Sequence, residues 1–222
     1  MDPETIKSEI QRRFAEMNGW NTATVRGVRR EFSRHLAEAD ARSVVKLAIR
    51  LIEESDLSIA RRFFAYELVL YHRPALQSVR ARDVEALGRG LDSWAAVDTF
   101  ASYISGPAWR EAQLADSLIH RWARSRDRWW RRAALVSTVP LNCKARGGRG
   151  DKARTLAVCD LLLEDRDDMV VKAMSWALRE LAKRDPKAAK DYLSEHASDL
   201  APRVLREVGN KLRSGLKNPR QA

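Results

Sequence analysis

Apolar residues recur at three- and four-residue spacing along the whole chain, and no stretch alternates residue by residue as a half-buried strand would. Val44, Ala48 and Leu51 form one stripe, with Asp40 placed to cap their helix; Ile59, Phe63, Tyr66 and Leu70 form the next, and Val204, Val208 and Leu212 another near the end. Each stripe predicts a helix with one face in a core. Breakers fall at Asn18-Gly19, Ser55-Asp56, His72-Arg73-Pro74, Gly88 to Gly90, Gly106-Pro107, Pro140 to Gly150, Asp165 to Asp168, Asp185-Pro186 and Ala201-Pro202. They divide the chain into about twelve helices of ten to eighteen residues.

Consecutive helix pairs recur at roughly 35 to 45 residues, the period of HEAT-like and armadillo-like arrays. The expected fold is therefore all-α: an α-solenoid of about six HEAT-like helix pairs with a concave basic groove suited to an extended ligand. No linker interrupts it, so residues 1–222 are read as a single domain. The longest irregular piece, Leu141 to Gly150, is basic and glycine-rich but lacks the Gly-Lys-Ser/Thr ending of a P-loop and follows a helix rather than a strand.

Composition narrows the class. A chain of 222 residues, 45% hydrophobic and 32% charged with only 10 Gly and 7 Pro, is neither collagen-like, disordered nor disulfide-rich. No run approaches the ~20 apolar residues of a membrane span, and the opening MDPETIKSEIQRR has charges where a signal peptide needs an apolar stretch. A cytoplasmic protein with no membrane partner is expected, nucleoid-associated when on DNA, and a monomer. Cys143 and Cys159 belong to no CxxC or Cys/His cluster and read as reduced thiols. His35, His72, His120 and His196 are scattered, so no metal site or cofactor is expected; His196, at helical spacing from Ala189 and Tyr192, reads as a packing or capping residue.

The net charge of +11 points to a polyanionic partner, and its distribution sharpens that. Between Arg121 and Arg154 nine Arg and two Lys face only Asp127 and Asp151, a local balance of +9. Arg128, Arg131, Arg132, Arg146 and Arg149 lie in this segment, interleaved with Trp122, Trp129 and Trp130. Arginine forks phosphate bidentately and tryptophan offers a flat apolar face, a combination that favours nucleic acid. A second cationic face, Lys172, Trp176, Arg179 and Lys183, lies opposite an apolar one made of Val170, Met174, Ala177 and Leu181.

Asp98 is the candidate for chemistry. Asp92 or Ser93 caps a helix on which Trp94 and Asp98, four apart, share a face, and Asp98 sits among Val97, Phe100, Ala101 and Ile104. The residues alone leave Asp98 two roles: a structural partner of an arginine or of a helix end, or a functional carboxylate.

Three segments carry a resemblance: Ser93-Trp94-x-x-Val97-Asp98, Trp129-Trp130-Arg131-Arg132-Ala133-Ala134-Leu135, and most specifically Lys172-Ala173-Met174-Ser175-Trp176-Ala177-Leu178-Arg179-Glu180. With a weaker echo at Gly19-Trp20-Asn21-Thr22 and Arg26, the sequence resembles the HEAT-repeat DNA glycosylases of the alkylation-repair family over nearly its whole length. The resemblance implies that Asp98 is the catalytic carboxylate, that Trp94 and Trp176 flank the damaged nucleotide's backbone, and that Arg132 grips phosphate with Arg179 nearby. It implies excision of N3- and N7-alkylated purines from double-stranded DNA with the lesion left in the duplex. Ala95 departs from the acid or aromatic the family often carries there, and the lesion-facing aromatic of the family's N-terminal region has no assignable counterpart, Phe14 and Trp20 being only nearby.

The chemistry agrees. An N3- or N7-alkylated purine is already cationic, so breaking its glycosidic bond releases a neutral base without a general acid. Positive charge then moves to the deoxyribose, where one carboxylate can stabilise it and orient a water. A non-catalytic HEAT-type duplex-binding protein is the competing expectation, because a basic groove alone explains affinity.

Overall fold

The computed structural model describes residues 3–17, 19–53 and 59–219, and among them there is no strand. The breakers predicted at Asn18 and at Ser55-Asp56 lie outside the described residues. The chain divides into two compact units, Met1–Leu91 and Asp92–Ala222.

The first unit contains α1 (Pro3–Ala15), α2 (Thr22–His35), α3 (Ala41–Glu53), α4 (Ile59–Tyr71), α5 (Arg73–Ser78) and α6 (Ala81–Leu87). Asn21 caps α2 through its side chain, and Asp40 accepts from Ser43 N–H at 2.9 Å as predicted. Val44, Ala48 and Leu51 are buried, but the stripe assigned to α4 is corrected: Tyr66 is buried while Ile59, Phe63 and Leu70 are only partly so. The helix packs against α2, α3 and α5 together, so its core arc is wide, taking in Ala60, Phe64, Ala65, Leu68 and Val69. One of its charges is buried with it: Glu67 is fully enclosed and receives Arg26 Nε at 2.9 Å and Arg29 Nε at 3.2 Å.

The second unit begins with α7 (Trp94–Phe100), a π turn (Ala101–Ser105) and α8 (Gly106–Arg110), which run on without a break. The helix end expected at Gly106-Pro107 is therefore wrong. The π turn bonds Gly106 N–H to Ala101 C=O, five residues back, and this change of register places Pro107 at a second helical position where its missing N–H costs nothing. Then come α9 (Asp116–Ala123), α10 (Arg128–Ser137), α11 (Val139–Asn142), a 3-10 turn (Lys144–Arg146), α12 (Lys152–Asp160), α13 (Asp168–Ala182), α14 (Pro186–Glu195) and α15 (Pro202–Ser214). Several helices are shorter than the predicted ten residues, α11 having four and α8 five. His196 ends α14 and packs on Tyr192 with ring centroids 4.5 Å apart.

Within the second unit helix α10 packs against α7, α9 and α13, and α13 packs in turn on α14 and α15. The segment Leu141 to Gly150 is ordered by arginines. Arg184 donates to the carbonyls of Asn142, at 2.7 Å, and Gly148; Arg110 donates to Arg146 C=O. A Cβ on Gly148 would stand 2.7 Å from Pro140 O, Asn142 C and Cys143 N, so only glycine fits this turn.

Candidate nucleic-acid interface and carboxylate site

Ser93 caps α7, its Oγ accepting Ala96 N–H at 3.4 Å, and this fixes the first turn on which Trp94 stands. Trp94 is 59% exposed, an unusual position for an indole. One turn on, Asp98 presents a mostly buried carboxylate, 19% exposed, at the point where α7 passes into the π turn. Arg132 of α10 meets it bidentately, Nε to Oδ1 at 2.9 Å and Nη2 to Oδ2 at 2.8 Å. The third nitrogen, Nη1, donates to the carbonyl of Met169 in the first turn of α13. One arginine thus ties the helix of Asp98 and Trp94 to the helix of Lys172, Trp176, Arg179 and Lys183.

Burial pushes the Asp98 carboxyl above its ordinary range, and the Arg132 hydrogen bonds and charge offset that only in part. The Asp98 carboxyl therefore carries a desolvation cost that its Arg132 partner offsets only in part.

On α13 the predicted division holds. Val170, Met174, Ala177 and Leu181 are buried, whereas Lys172, Trp176 and Arg179 are partly exposed and Lys183 is exposed. The predicted phosphate contacts are nevertheless already engaged. Arg131 donates to Asp165 at 2.7 Å and also caps the carbonyls of Ser125 and Arg126; Arg128 lies 3.7 Å from Asp167. Lys172 pairs with Asp168 at 2.6 Å, Lys183 with Glu180 at 2.6 Å, and Arg149 lies 3.5 Å from Glu111. Arg146 stacks over Tyr103, 5.2 Å from the ring centre. The +9 segment is therefore partly neutralised by acids from outside it, among them Asp165 and Asp167, which the sequence pattern marked only as a breaker. Lys172–Asp168 and Arg149–Glu111 are exposed on both sides, whereas Asp165 and Glu180 are largely buried in their pairs.

The tryptophan interleaving resolves into two kinds. Trp122 is buried and packs on Trp130 at 4.8 Å and Phe100 at 6.0 Å; Trp129 is partly exposed beneath the Arg128 guanidinium at 4.8 Å. In the first unit Phe14 packs edge-on against Phe64 at 5.2 Å, and Trp20 is 51% exposed. No group of three His, Cys, Asp or Glu side chains able to hold a metal occurs among the described residues.

The sequence model of a family described as DNA alkylation repair enzyme matches residues 2–212. The chain belongs to that family. No curated protein and no solved structure gives a match. Membership makes this DNA alkylation repair enzyme a protein of alkylated-DNA repair with DNA as its substrate. Among its described residues no helix is long and apolar enough to cross a membrane.

Proposed function

We propose that this repair enzyme is a monofunctional DNA glycosylase that hydrolyses the N-glycosidic bond of cationic N3- and N7-alkylated purines in duplex DNA, leaving the lesion stacked. The observation that carries the reading is Asp98: a desolvated carboxylate, fixed on both oxygens by Arg132, one turn from the exposed Trp94. Such a group needs no proton to give. Its task is to stand as a preorganised negative charge where a departing cationic base leaves an oxocarbenium-like sugar, and to orient water toward C1′. Arg132, which the resemblance would have gripping phosphate, has its three nitrogens engaged on Asp98 and Met169 C=O, and its role in this reading is instead to orient the carboxylate and keep its charge from swinging away. Trp94 and Trp176 supply apolar faces for the sugar-phosphate backbone, and the cations of α10 and α13 grip phosphates along the basic groove of the expected six-pair, single-domain solenoid. No cofactor is needed in this reading, since the cationic base departs as a neutral molecule, and the enzyme is taken to act as a monomer.

The Arg132 pair also favours a second reading, a non-catalytic duplex binder in which Asp98 serves only to hold Arg132. The two part company at Trp176→Ala. As a glycosylase, the variant loses at least about tenfold in single-turnover excision through mispositioned backbone, while duplex affinity changes only a few-fold. Unchanged excision by a folded Trp176→Ala protein contradicts the assignment. Binding to duplex should weaken linearly on a log–log salt plot, with each displaced phosphate contributing about −0.9 to the slope. Salt-insensitive binding would remove the cationic residues from the interface.

A further inference from the structure

Arg179 differs from its neighbours. Arg128, Arg131, Arg132 and Lys172 each lie within ion-pair distance of a carboxylate. Arg179 instead donates from Nε to the hydroxyl of Ser175, one turn earlier on α13, at 3.2 Å. An arginine can only donate, so the Ser175 oxygen accepts that bond and its own proton points elsewhere, to Glu207 Oε2 at 2.6 Å on α15. Ser175 is fully buried and Glu207 is 4% exposed. The exposed Lys217 lies 3.4 Å from the same carboxylate oxygen. Burial pushes the Glu207 carboxyl up, but the Ser175 hydrogen bond, Lys217 and Arg179 outweigh it and hold the group below its ordinary range, so it is an anion.

We propose that Ser175 and Glu207 are positioning residues for Arg179: the buried carboxylate, acting through the serine hydroxyl, fixes the Nε edge of the guanidinium so that its Nη edge faces a DNA phosphate. This rests on the reading of Arg179 as a phosphate contact. A hydroxyl between the charges achieves what a direct pair does not. The arginine is oriented, yet no carboxylate occupies the fork that phosphate must take. Packing between α13 and α15 thereby reaches the DNA, because α15 sets where Glu207 stands.

The test is duplex binding by the full chain, with melting temperature recorded on each preparation. Arg179→Ala should weaken affinity about tenfold at ~100 mM salt and reduce the log–log salt slope by about 0.9. Ser175→Ala, which removes one oxygen from a helix interior, should weaken it about threefold, and Glu207→Gln similarly. In the Arg179→Ala background Ser175→Ala should have no further effect on binding, whereas a merely structural serine would weaken both backgrounds alike. Should Glu207→Gln fail to fold, the Ser175→Ala cycle carries the test. Wild-type affinity in Ser175→Ala, or equal losses in both backgrounds, overturns the relay while leaving Arg179 a phosphate contact. An unchanged affinity and slope in Arg179→Ala overturns the premise, and the relay with it.

Discussion

Asp98→Asn is expected to lower single-turnover excision of an N7-alkylguanine by on the order of 10²-fold or more, the scale of losing one preorganised electrostatic contact in a transition state. Asparagine keeps the shape, and its amide oxygen still accepts from Arg132, but the charge opposite the developing sugar cation is gone. Duplex affinity should hold or rise, since an anion has been removed from a polyanion's site. The raised pKa gives a further signature. Activity requires the ionised carboxylate, so the excision rate should fall on acidification with a midpoint above the ordinary aspartate value of 3.8. The linked stability runs the other way. A carboxyl whose folded pKa is raised contributes stability that is fully present below its unfolded value and is lost as pH rises through the folded one. Asp98→Asn nevertheless removes one of the two hydrogen bonds that hold the buried Arg132 guanidinium, so it should lower the melting temperature, by less than Arg132→Ala does. Excision rate and duplex affinity, measured well below the melting temperature of the variant, separate this from a structural aspartate, whose loss would leave the folded fraction fully active.

Arg132→Ala should instead damage the fold. Its guanidinium is 6% exposed and all three of its nitrogens are used, two on Asp98 and one on Met169 C=O. Truncation leaves a desolvated carboxylate with no partner and unties α7 from the first turn of α13. Breaking a buried pair from one side costs about 3 kcal/mol when the stranded group retains some water. In a chain of this size that lowers the melting temperature by roughly 6 to 12 °C. Arg132→Lys keeps the charge but cannot form the fork. It should recover much of the stability while moving the acidic limb of the excision profile to higher pH, because the hydrogen bonds that oppose the burial of Asp98 are weakened. Calorimetry together with the pH profile checks both; a melting temperature equal to wild type in Arg132→Ala would mean that the pair does not hold the helices.

The all-helical class was legible because burial here follows a helical period almost everywhere. The α4 stripe failed because three neighbours cover that helix, and a one-sided pattern cannot report burial on most of the circumference. Gly106-Pro107 misled because a π turn is a change of hydrogen-bond register, which leaves little trace in residue type. At the site, Asp98, Trp94 and the two faces of α13 could be read from spacing, since each depends on local helical geometry. The pairing of Asp98 with Arg132 joins residues 34 apart and could be named only as one of two roles. The acids beside the cations were invisible to counting charge along the chain, as Asp165 and Glu111 reach Arg131 and Arg149 from other elements. Glu207 did leave a signal: it lies on the Val204–Val208 face of α15, a carboxylate on an apolar stripe, which is where a buried acid with a specific partner belongs.

Product analysis on a duplex containing a single N7-methylguanine tests the central claim most directly. The protein is incubated in excess over the duplex, the spontaneous depurination of a protein-free control is subtracted, and the free base and the strand are quantified separately. The glycosylase account predicts release of intact N7-methylguanine with an alkali-labile abasic site left in equal amount, both abolished to near background in Asp98→Asn. Recovery of unmodified guanine in an uncut strand, or tight binding of the duplex with no base released above background, would contradict it.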